Sequence, residues 1–486
     1  MSQQVQIVIS DNKFCIIKSD DYELLRAIDQ QFSYKQDGIQ WSRAVQTGRW
    51  DGTTHLLHKN KLPLGLLDNL KDFLATIDYS ASIDDHRPEL VIAPEIDLKA
   101  KLARLNTPLR DYQERIVETA FQSRKGIIRA CTGAGKTLSA AALIAKINQS
   151  AVIYVIGLDL LGQFHATLSE LFDEKIGYIG NGVCDIQRIT VASVWSVGRA
   201  LGLKKDIVDD DATEKEIVKA ENSQAIIELL RTAHTHLFDE CHVVNCMTLR
   251  EVFKAINPQR IYGMSATWQK GDNTDLTSIG ILGPQIIDIS ASELIEKGWL
   301  AKPYIKFVHV PKISGEPRDY HSIYRDYIVE NKTRNKLIVE NTKQLLAKGY
   351  KVLSLFRMIR HGEILSEMFA DAGIEVEMLS GQDSLEHRNE VKEKLQTGKL
   401  QAVLASTIFD LGVDISSLSA LVLCSGGKSI VRSTQRIGRV IRKYPGKEQV
   451  AVVDFIDHCK YLQQHSQARY NTYKMENGFV VKWPGK

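Results

Sequence analysis

The chain has 486 residues, of which 44% are hydrophobic and 25% are charged, and at about 150 residues per domain this length predicts about three domains. A composition so close to the globular average excludes a disordered chain, a collagen-like repeat and a small disulfide scaffold. The 62 basic and 59 acidic residues give a net charge of +3. This balance excludes a general nucleic-acid coat, so any contact with a polyanion must be local.

Seven cysteines are scattered along the chain without a C-x-x-C pair, a pattern that predicts a reduced intracellular protein. No basic leader followed by an apolar run opens the chain, so we expect no signal peptide. The most apolar stretch, residues 151–161, contains Asp159 and is much shorter than a membrane span. We therefore expect a cytoplasmic protein that makes no contact with a membrane.

Residues 1–95 predict a small α+β unit, which we call the N-terminal module. Apolar runs at residues 5–9 and 14–17 flank the turn pair Asp11-Asn12, a pattern typical of a β-hairpin. Acidic residues outnumber basic ones in this module, so any grip on a polyanion must come from a local patch. Two helices are predicted over residues 20–32 and 66–74, followed by a proline-containing linker over residues 84–101.

Beyond residue 100, short apolar runs alternate with helical patterns, which predicts doubly wound parallel sheets. The alternation is interrupted and then restarts, so we predict two tandem α/β domains over residues 100–288 and 300–486. The predicted strands are 126–130, 151–156, 189–192, 236–239 and 261–264 in the first domain, and 352–356, 375–379, 402–405, 420–423 and 450–455 in the second. A helix is predicted over residues 136–147, and the charged residues 204–228 are predicted to form a helical insertion at the surface.

Residues 130–137, Ala-Cys-Thr-Gly-Ala-Gly-Lys-Thr, follow a predicted strand and open a predicted helix, as a phosphate-binding loop requires. The glycines let backbone N–H groups close around phosphate oxygens, and the helix N-terminus adds its positive dipole end. We expect Lys136 to reach the β- and γ-phosphates and Thr137 to ligate Mg²⁺. A glycine-rich turn without a ligand is the alternative. The predicted nucleotide contacts of this loop are Thr132, Gly133, Gly135, Lys136 and Thr137.

Asp239 ends the predicted strand 236–239, and Glu240 follows it directly. A carboxylate at a strand end suits Mg²⁺ coordination, and a neighbouring carboxylate can polarise an attacking water. We therefore predict Asp239 as a metal ligand and Glu240 as the base. A zinc site remains an alternative, although the spacing of its candidate ligands does not fit a structural zinc motif. Those candidates are His234, His236, Cys241, His242 and Cys246.

These two motifs together resemble those of superfamily 2 helicases of the DExH type, which share an alanine at the first position of the phosphate-binding loop. Other motifs of that family follow in order: residues 109–113 resemble the adenine-recognising motif, residues 265–267 the coupling motif, residues 406–415 motif V and residues 435–442 motif VI. One motif departs, because Ile156-Gly157 stands where the family has Pro-Thr. The resemblance covers residues 102–460 and implies two RecA-like domains with ATP and Mg²⁺ as cofactors.

The resemblance also implies roles for residues outside the first two motifs. Further nucleotide contacts are implied for Arg110, Gln113, Gly412, Asp414 and Gln435. Coupling between the nucleotide state and nucleic acid is implied for His242, Ser265 and Thr267.

Arg439 and Arg442 of motif VI suit a catalytic role as arginine fingers. Phosphoryl transfer places negative charge on the phosphoryl oxygens, and a guanidinium delivered from another domain stabilises it. The two arginines are three residues apart on a predicted helix and should therefore share one face. A basic surface helix that binds nucleic acid is the alternative for this pair.

Ser193 and Thr407 are candidate contacts to a nucleic-acid backbone, since hydroxyls can grip phosphates without reading sequence. Either residue could instead be an ordinary loop hydroxyl. Arg49 and Trp50 lie in the turn at residues 48–52, Gly-Arg-Trp-Asp-Gly, and are also candidate DNA contacts. A plain core aromatic is the alternative for Trp50.

This turn and the leucine-rich segment at residues 56–66 are similar to the N-terminal domain of UvsW-type phage helicases. The resemblance implies DNA as the partner, at forks, junctions and single-strand/double-strand boundaries, and a role in branch migration, fork remodelling, repair and recombination. It also implies 3′→5′ polarity and, for a phage protein, the host cytoplasm, and we expect a monomer. Two other functions remain open: a restriction- or repair-type DNA translocase, and an ATP-gated sensor of duplex nucleic acid.

Overall fold

The computed structural model describes residues 3–35, 39, 43–203, 220–242, 247–267, 275–313, 315, 319–381, 383–406, 417–427, 437–438 and 440–484. The chain divides into two compact units. The first comprises residues 1–130 and 135–288, and the second comprises residues 131–134 and 289–486. No helix within the described ranges is both long enough and apolar enough to cross a membrane.

The N-terminal part of the first unit is built on a small mixed sheet. The strands of this part of the chain are β1 (Gln3–Ile9), β2 (Phe14–Lys18), β3 (Ser33–Lys35), β4 (Thr53–His55), β5 (Lys61–Pro63) and β6 (Tyr79–Asp85). The helices are α1 (Tyr22–Gln31), α2 (Arg43–Gln46) and α3 (Leu67–Thr76). The sheet order is β5-β2-β1-β6, and β3 pairs with β4 in a separate ribbon. The predicted hairpin is present, with β1 antiparallel to β2.

Local sequence explains the start and the buried face of α1. The Asp21 side chain caps the helix by accepting hydrogen bonds from the backbone N–H groups of Glu23 and Leu24 at 3.0 and 3.2 Å. Leu24 and Ile28 lie one turn apart and are the buried residues of this helix. They join the core formed by the buried faces of β1, β2 and α3.

The rest of the first unit is an α/β domain with a mainly parallel sheet. Its strands are β7 (Lys125–Ala130), β8 (Ala151–Val155), β9 (Gly177–Gly180), β10 (Val183–Asp185), β11 (Ile189–Ser193), β12 (Thr235–Asp239), β13 (Arg260–Ser265) and β14 (Gln285–Ile289). Its helices are α4 (Lys99–Arg104), α5 (Asp111–Gln122), α6 (Lys136–Ile147), α7 (Leu158–Leu171), α8 (Val194–Ala200), α9 (Ala220–Thr232), α10 (Met247–Ala255) and α11 (Asp275–Leu282). The sheet order over these residues is β10-β9-β11-β8-β12-β13-β7-β14.

The five strands predicted for this domain are all present. β8, β11 and β12 are buried along their whole length, as central strands of a parallel sheet are, and β8 accordingly appears in the sequence as a continuous apolar run. The predicted surface insertion is partly wrong: residues 204–219 lie outside the described residues, but α9 buries Ile226 and Leu230 in the domain core.

The second unit contains another parallel sheet. Its strands are β15 (Lys302–His309), β16 (Val352–Phe356), β17 (Glu377–Leu379), β18 (Ala402–Ser406), β19 (Ala420–Leu423), β20 (Gln449–Ile456) and β21 (Val480–Lys482), in the order β17-β18-β16-β19-β20-β15-β21. Its helices are α12 (Ala291–Glu296), α13 (Tyr320–Tyr324), α14 (Lys332–Ala347), α15 (Ile359–Asp371), α16 (Leu385–Thr397) and α17 (Lys460–Met475). The predicted fold class, two doubly wound parallel sheets preceded by a small α+β part, is confirmed.

Candidate active site

Three neighbouring parallel strands of the first sheet deliver the site residues to one edge. β12 pairs with β13 in the register Asp239 to Met264, and β13 pairs with β7 in the register Ser265 to Arg129. Because the three strands are parallel, their carboxyl ends meet, and ligands of open α/β sheets bind at such an edge. The phosphate-binding loop, Asp239 with Glu240, and the Ser-Ala-Thr segment therefore leave the sheet side by side.

The loop between β7 and α6 has the backbone that a phosphate site needs. Gly133 and Gly135 have φ angles of 90° and 74°, in the left-handed region that glycine adopts without steric cost. The Ala134 N–H donates to the Cys131 carbonyl at 3.1 Å and tightens the turn. α6 begins directly at Lys136, so its first N–H groups and its positive dipole end face the loop.

Gln113 lies against this loop. Its side-chain oxygen accepts a hydrogen bond from Arg110 N at 3.0 Å, and its Nε2 lies 3.5 Å from the Gly135 carbonyl. The Arg110 guanidinium donates to the Tyr112 hydroxyl at 3.0 Å. The start of α5 thus joins the segment that resembles the adenine-recognising motif to the phosphate-binding loop.

Glu240 is the centre of the polar cluster. Its Oε1 lies 3.0 Å from Lys136 Nζ, and its Oε2 lies 3.2 Å from His242 Nδ1 and 3.3 Å from Ser265 Oγ. The Ser265 hydroxyl also lies 3.1 Å from the Thr267 carbonyl. The structure therefore brings together five residues that the sequence placed in three separate motifs.

The backbone of Glu240 is strained. Its φ angle of 52° lies in the left-handed region, which costs a residue with a Cβ about 1 kcal/mol or more. With this backbone conformation, directly after the end of β12, the Glu240 carboxylate contacts Lys136. Burial alone would raise the pKa of Glu240, but the Lys136 ammonium and then His242 lower it below its ordinary value, so the carboxylate stays ionised.

Asp239 is in a different electrostatic state. Burial, and then the negative charge of Glu240, raise the pKa of Asp239 to about 7. Its Oδ1 is fully buried and has no hydrogen-bond partner among the described residues. A buried acceptor of this kind fits a hard cation with oxygen ligands, and the half-buried Thr137 lies at the second position of α6. The residues present therefore fit Mg²⁺.

The zinc alternative has no support within the described residues, where no group of three or more potential ligands converges. His236 lies in the sheet core, with Nδ1 2.8 Å from the Tyr154 hydroxyl and Nε2 3.1 Å from the Ala233 carbonyl. Burial lowers the pKa of His236 to about 3, so this histidine is neutral and structural. Cys246 lies outside the described residues.

The predicted site residues of the second α/β domain are only partly described. Thr407, Gly412, Asp414, Gln435 and Arg439 lie outside the described residues.

Arg442 is described, and it corrects a prediction. Residues 437, 438 and 440 are helical, but Arg442 forms an isolated β-bridge with Leu300. The expectation that Arg439 and Arg442 share a helix face is therefore wrong, because the helix ends before Arg442. Lys447, five residues beyond Arg442, is structural: its buried Nζ donates to the carbonyls of Leu418 and Val440 at 2.9 and 3.0 Å.

Two buried arginines that sequence reasoning did not assign hold the loop that leads toward motif VI. Arg334 on α14 pairs with Asp457 at 2.8 Å and donates to the Cys424 carbonyl at 2.6 Å. Arg469 on α17 pairs with Asp454 at 2.8 Å and donates to the Gly427 carbonyl at 2.7 Å. Each arginine lies on the buried side of its helix, one turn before Ile338 for Arg334 and one turn before Tyr473 for Arg469, but the sequence does not show the partner of either.

The predicted DNA contacts that the structure describes differ in burial and in their hydrogen bonds. Ser193 ends β11 and is fully buried, and its hydroxyl has no hydrogen-bond partner among the described residues, so its role as a DNA contact stays a prediction. Arg49 is exposed. Trp50 is half-buried and its indole N–H donates to the Thr53 carbonyl at 2.8 Å, so Trp50 at least stabilises its own turn.

Comparisons with known proteins identify similar families and relatives. Residues 106–270 match the family model of the type III restriction enzyme res subunit, residues 334–444 that of the helicase conserved C-terminal domain, and residues 4–84 that of the N-terminal domain of DNA helicase UvsW. The ATP-dependent DNA helicase uvsW of Enterobacteria phage T4 is 25% identical over 93% of this chain and 94% of its own length. The DNA 3'-5' translocase XPB2 of Sulfurisphaera tokodaii is 24% identical over 69% of this chain and 79% of its own length.

A solved structure supports the fold alone. The structure of S. cerevisiae Dbp5 bound to RNA and ADP BeF3 has a TM-score of 0.54 at 14% identity, and the match covers 81% of this chain and 94% of that chain.

The two helicase-domain matches and the polar cluster at the sheet edge define the class: the chain is an ATP-dependent DNA helicase of superfamily 2. Within that class it is of the UvsW type, since its N-terminal residues match the UvsW model and the similarity to the phage helicase extends over nearly the whole chain. The family predicted from the sequence motifs is confirmed.

The raised pKa of Asp239 generates a prediction about stability. A carboxyl whose pKa is about 7 in the folded chain and near 4 in the unfolded chain binds its proton more tightly when folded, so its contribution to stability falls as pH rises from about 4 to 7. In EDTA and without nucleotide, Asp239→Asn should therefore unfold at higher denaturant than wild type at pH 8, by up to about 4 kcal/mol, with a much smaller difference at pH 4.5. Urea unfolding at both pH values measures this. An equal shift at both would show that charge burial at Asp239 is not its cause.

Proposed function

We propose that this helicase hydrolyses ATP at the edge of its first sheet and uses the cycle to remodel forked and branched DNA. The observation that carries the proposal is the 3.0 Å contact between Lys136 Nζ and Glu240 Oε1, beside the buried Asp239 carboxylate. A lysine at a helix N-terminus and two carboxylates at a strand end are the parts that phosphoryl transfer from ATP requires.

The phosphate-binding loop holds the triphosphate in this proposal. Backbone N–H groups of Thr132, Gly133 and Gly135 surround the phosphate oxygens, and Lys136 pairs with the β- and γ-phosphates. Arg110 and Gln113 contact the adenine. Thr137 and Asp239 would hold Mg²⁺, which when bound neutralises charge on the phosphates.

Glu240 is the base in this proposal. Lys136 is paired with Glu240, so the phosphates of ATP would compete with that carboxylate for the same ammonium. When the nucleotide takes Lys136, one oxygen of Glu240 becomes available to orient a water and accept its proton. His242 and Ser265, on the other oxygen, keep the carboxylate in place and connect its position to Thr267.

We expect Glu240→Gln to bind ATP and DNA with near wild-type affinity while turnover falls by about a hundredfold or more. The amide keeps the shape of the side chain but cannot accept the proton of the attacking water. Steady-state ATPase assays and nucleotide titrations measure both quantities. Lys136→Ala is the matched comparison, because it should lose nucleotide affinity as well as turnover, and wild-type turnover in folded Glu240→Gln would overturn the role.

The second domain contributes the remaining nucleotide contacts. We propose Gly412, Asp414 and Gln435 as nucleotide contacts and Arg439 as the arginine that stabilises charge in the transition state. Arg442 stays a proposed partner of Arg439, now from a position outside the helix. Under this proposal, ATP binding favours a closed arrangement and hydrolysis releases it.

For Arg439→Ala we predict nearly unchanged ATP affinity and a collapse of turnover, because a finger acts chiefly in the transition state. If Arg439 instead contacts the DNA backbone, basal ATPase should persist and the salt dependence of DNA binding should weaken by about one phosphate contact. Basal ATPase, DNA-stimulated ATPase and the salt slope, measured on this single variant, distinguish the two roles.

The proposed substrate is forked or branched DNA, and the N-terminal module is its proposed recognition element. Support comes from the module's match to the UvsW N-terminal model and from the exposed Arg49 in its turn, with Trp50 and Thr407 as further proposed contacts. We propose 3′→5′ translocation, a monomeric state and, on the likeness to a phage helicase, action in the host cytoplasm.

A panel of substrates tests this choice. We expect ATPase and strand displacement to be at least tenfold faster on a fork or four-way junction than on blunt duplex of equal length. Equal ATPase on all duplexes without strand displacement would instead favour a restriction- or repair-type translocase. Stable ATP-dependent duplex binding without either activity would favour a sensor.

A further inference from the structure

The N-terminal module packs against two helices of the first α/β domain, α10 and α11, which together we call its seat. The Asn12 amide donates to the carbonyls of Pro258 and Gln259, both at 3.1 Å, just beyond α10. Phe14 packs against Phe253 of α10, with ring centroids 5.8 Å apart. These contacts attach the β1–β2 turn to one side of the seat.

α11 forms the other side of the seat. A side chain on Gly65 would run into the backbone of α11, because the residue lies directly against the Ile279 and Gly280 carbonyls. Leu276 and Ile279 of α11 pack against the core of the module. Dense backbone packing and apolar burial therefore provide attachment without any further polar contact.

Tyr34 is the residue that contacts both helices through one atom. Its hydroxyl lies 2.5 Å from Thr277 Oγ1 on α11 and accepts a hydrogen bond from Arg250 Nη2 on α10 at 2.8 Å. Tyr34 and Thr277 are both buried, at 3% and 4% exposure. Tyr34 belongs to β3, the strand paired with β4 in the ribbon that flanks the Arg49 turn.

The two helices that Tyr34 connects are those that follow the active-site segments along the chain. α10 begins at residue 247, shortly after His242, and α11 begins at residue 275, shortly after Thr267. His242 and the Ser265–Thr267 segment both contact Glu240 or its immediate partner. A change at the nucleotide therefore has a short covalent path to each helix.

We propose that Tyr34 is a positioning residue that couples the N-terminal module to the ATP site by bridging Arg250 on α10 and Thr277 on α11. The two hydrogen bonds of this single hydroxyl restrict the relative position of the two helices. A nucleotide-dependent shift between α10 and α11 thus breaks or remakes the bridge and changes the position of β3. By linkage, a ligand that binds the module and fixes the position of β3 must in turn favour one nucleotide state, by the same coupling free energy.

Tyr34→Phe tests the bridge, since it keeps the ring and removes only the hydroxyl, and Thr277→Val removes the partner hydroxyl at similar volume. With DNA binding at the module, as proposed above, basal ATPase should stay within about twofold of wild type. The stimulation of ATPase by saturating forked DNA should fall at least about fivefold in each variant, the size of a typical coupling. Tyr79→Phe is the matched control, because the Tyr79 hydroxyl donates to Asp21 inside the module at 3.1 Å.

A second measurement needs no DNA. Amide hydrogen exchange of residues 33–35 should change when Mg²⁺ and AMP-PNP are added to wild type, and should become independent of nucleotide in Tyr34→Phe. An unchanged stimulation ratio, an equal loss of basal and stimulated rates, or the same loss in Tyr79→Phe would overturn the coupling role. If wild type shows no stimulation by DNA, the proposed function fails, and the exchange experiment alone decides the inference: nucleotide-independent exchange in wild type would overturn it.

Discussion

The active site depends on the parallel register of β7, β13 and β12. Each strand ends at the same edge, and each is followed by a segment that contributes one part of the polar cluster. A shift of one residue in any of the three would turn its last side chain to the other face of the sheet. The buried apolar residues that hold this register therefore determine the 3.0 Å contact between Lys136 and Glu240 as much as the polar residues themselves do.

The balance of charges in this cluster couples the binding of one ligand to the binding of another. Lys136 faces the half-buried Glu240 beside the buried Asp239, and with one ammonium for two carboxyl groups the pKa of Asp239 is raised while that of Glu240 is lowered. A nucleotide that takes Lys136 brings further negative charge into the same space. Under the proposed function, the binding of ATP and of Mg²⁺ must therefore be strongly cooperative, because neither the phosphates nor the carboxylates can be neutralised by Lys136 alone.

Local signals explain which parts of the fold and site were predictable. β8 is a continuous apolar run and β16 is one apart from Ser354, and Gly133 to Lys136 have residue types that are dictated by backbone conformation and phosphate chemistry. β15 was missed because alternate residues such as Lys302 and Lys306 face solvent, so the strand does not appear as a buried run.

Long-range contacts explain the errors and omissions. The bridge of Arg442 depends on Leu300, more than a hundred residues earlier. The two partners of the Tyr34 hydroxyl are more than two hundred residues away in sequence. A single sequence contains no local pattern that signals such pairings, because each residue type is ordinary in its own segment.

The close seat of the N-terminal module has a consequence for truncation. Cutting the chain in the segment between β6 and α4 would remove the cover from Phe253 and Ile279 and leave an apolar surface on α10 and α11. Such a fragment would be prone to self-association and would have lost the packing that orients two helices next to the ATP site. If such a truncated chain lost activity, the loss would reflect damage to the remaining α/β domains as well as the absence of the N-terminal module's proposed DNA-binding surface.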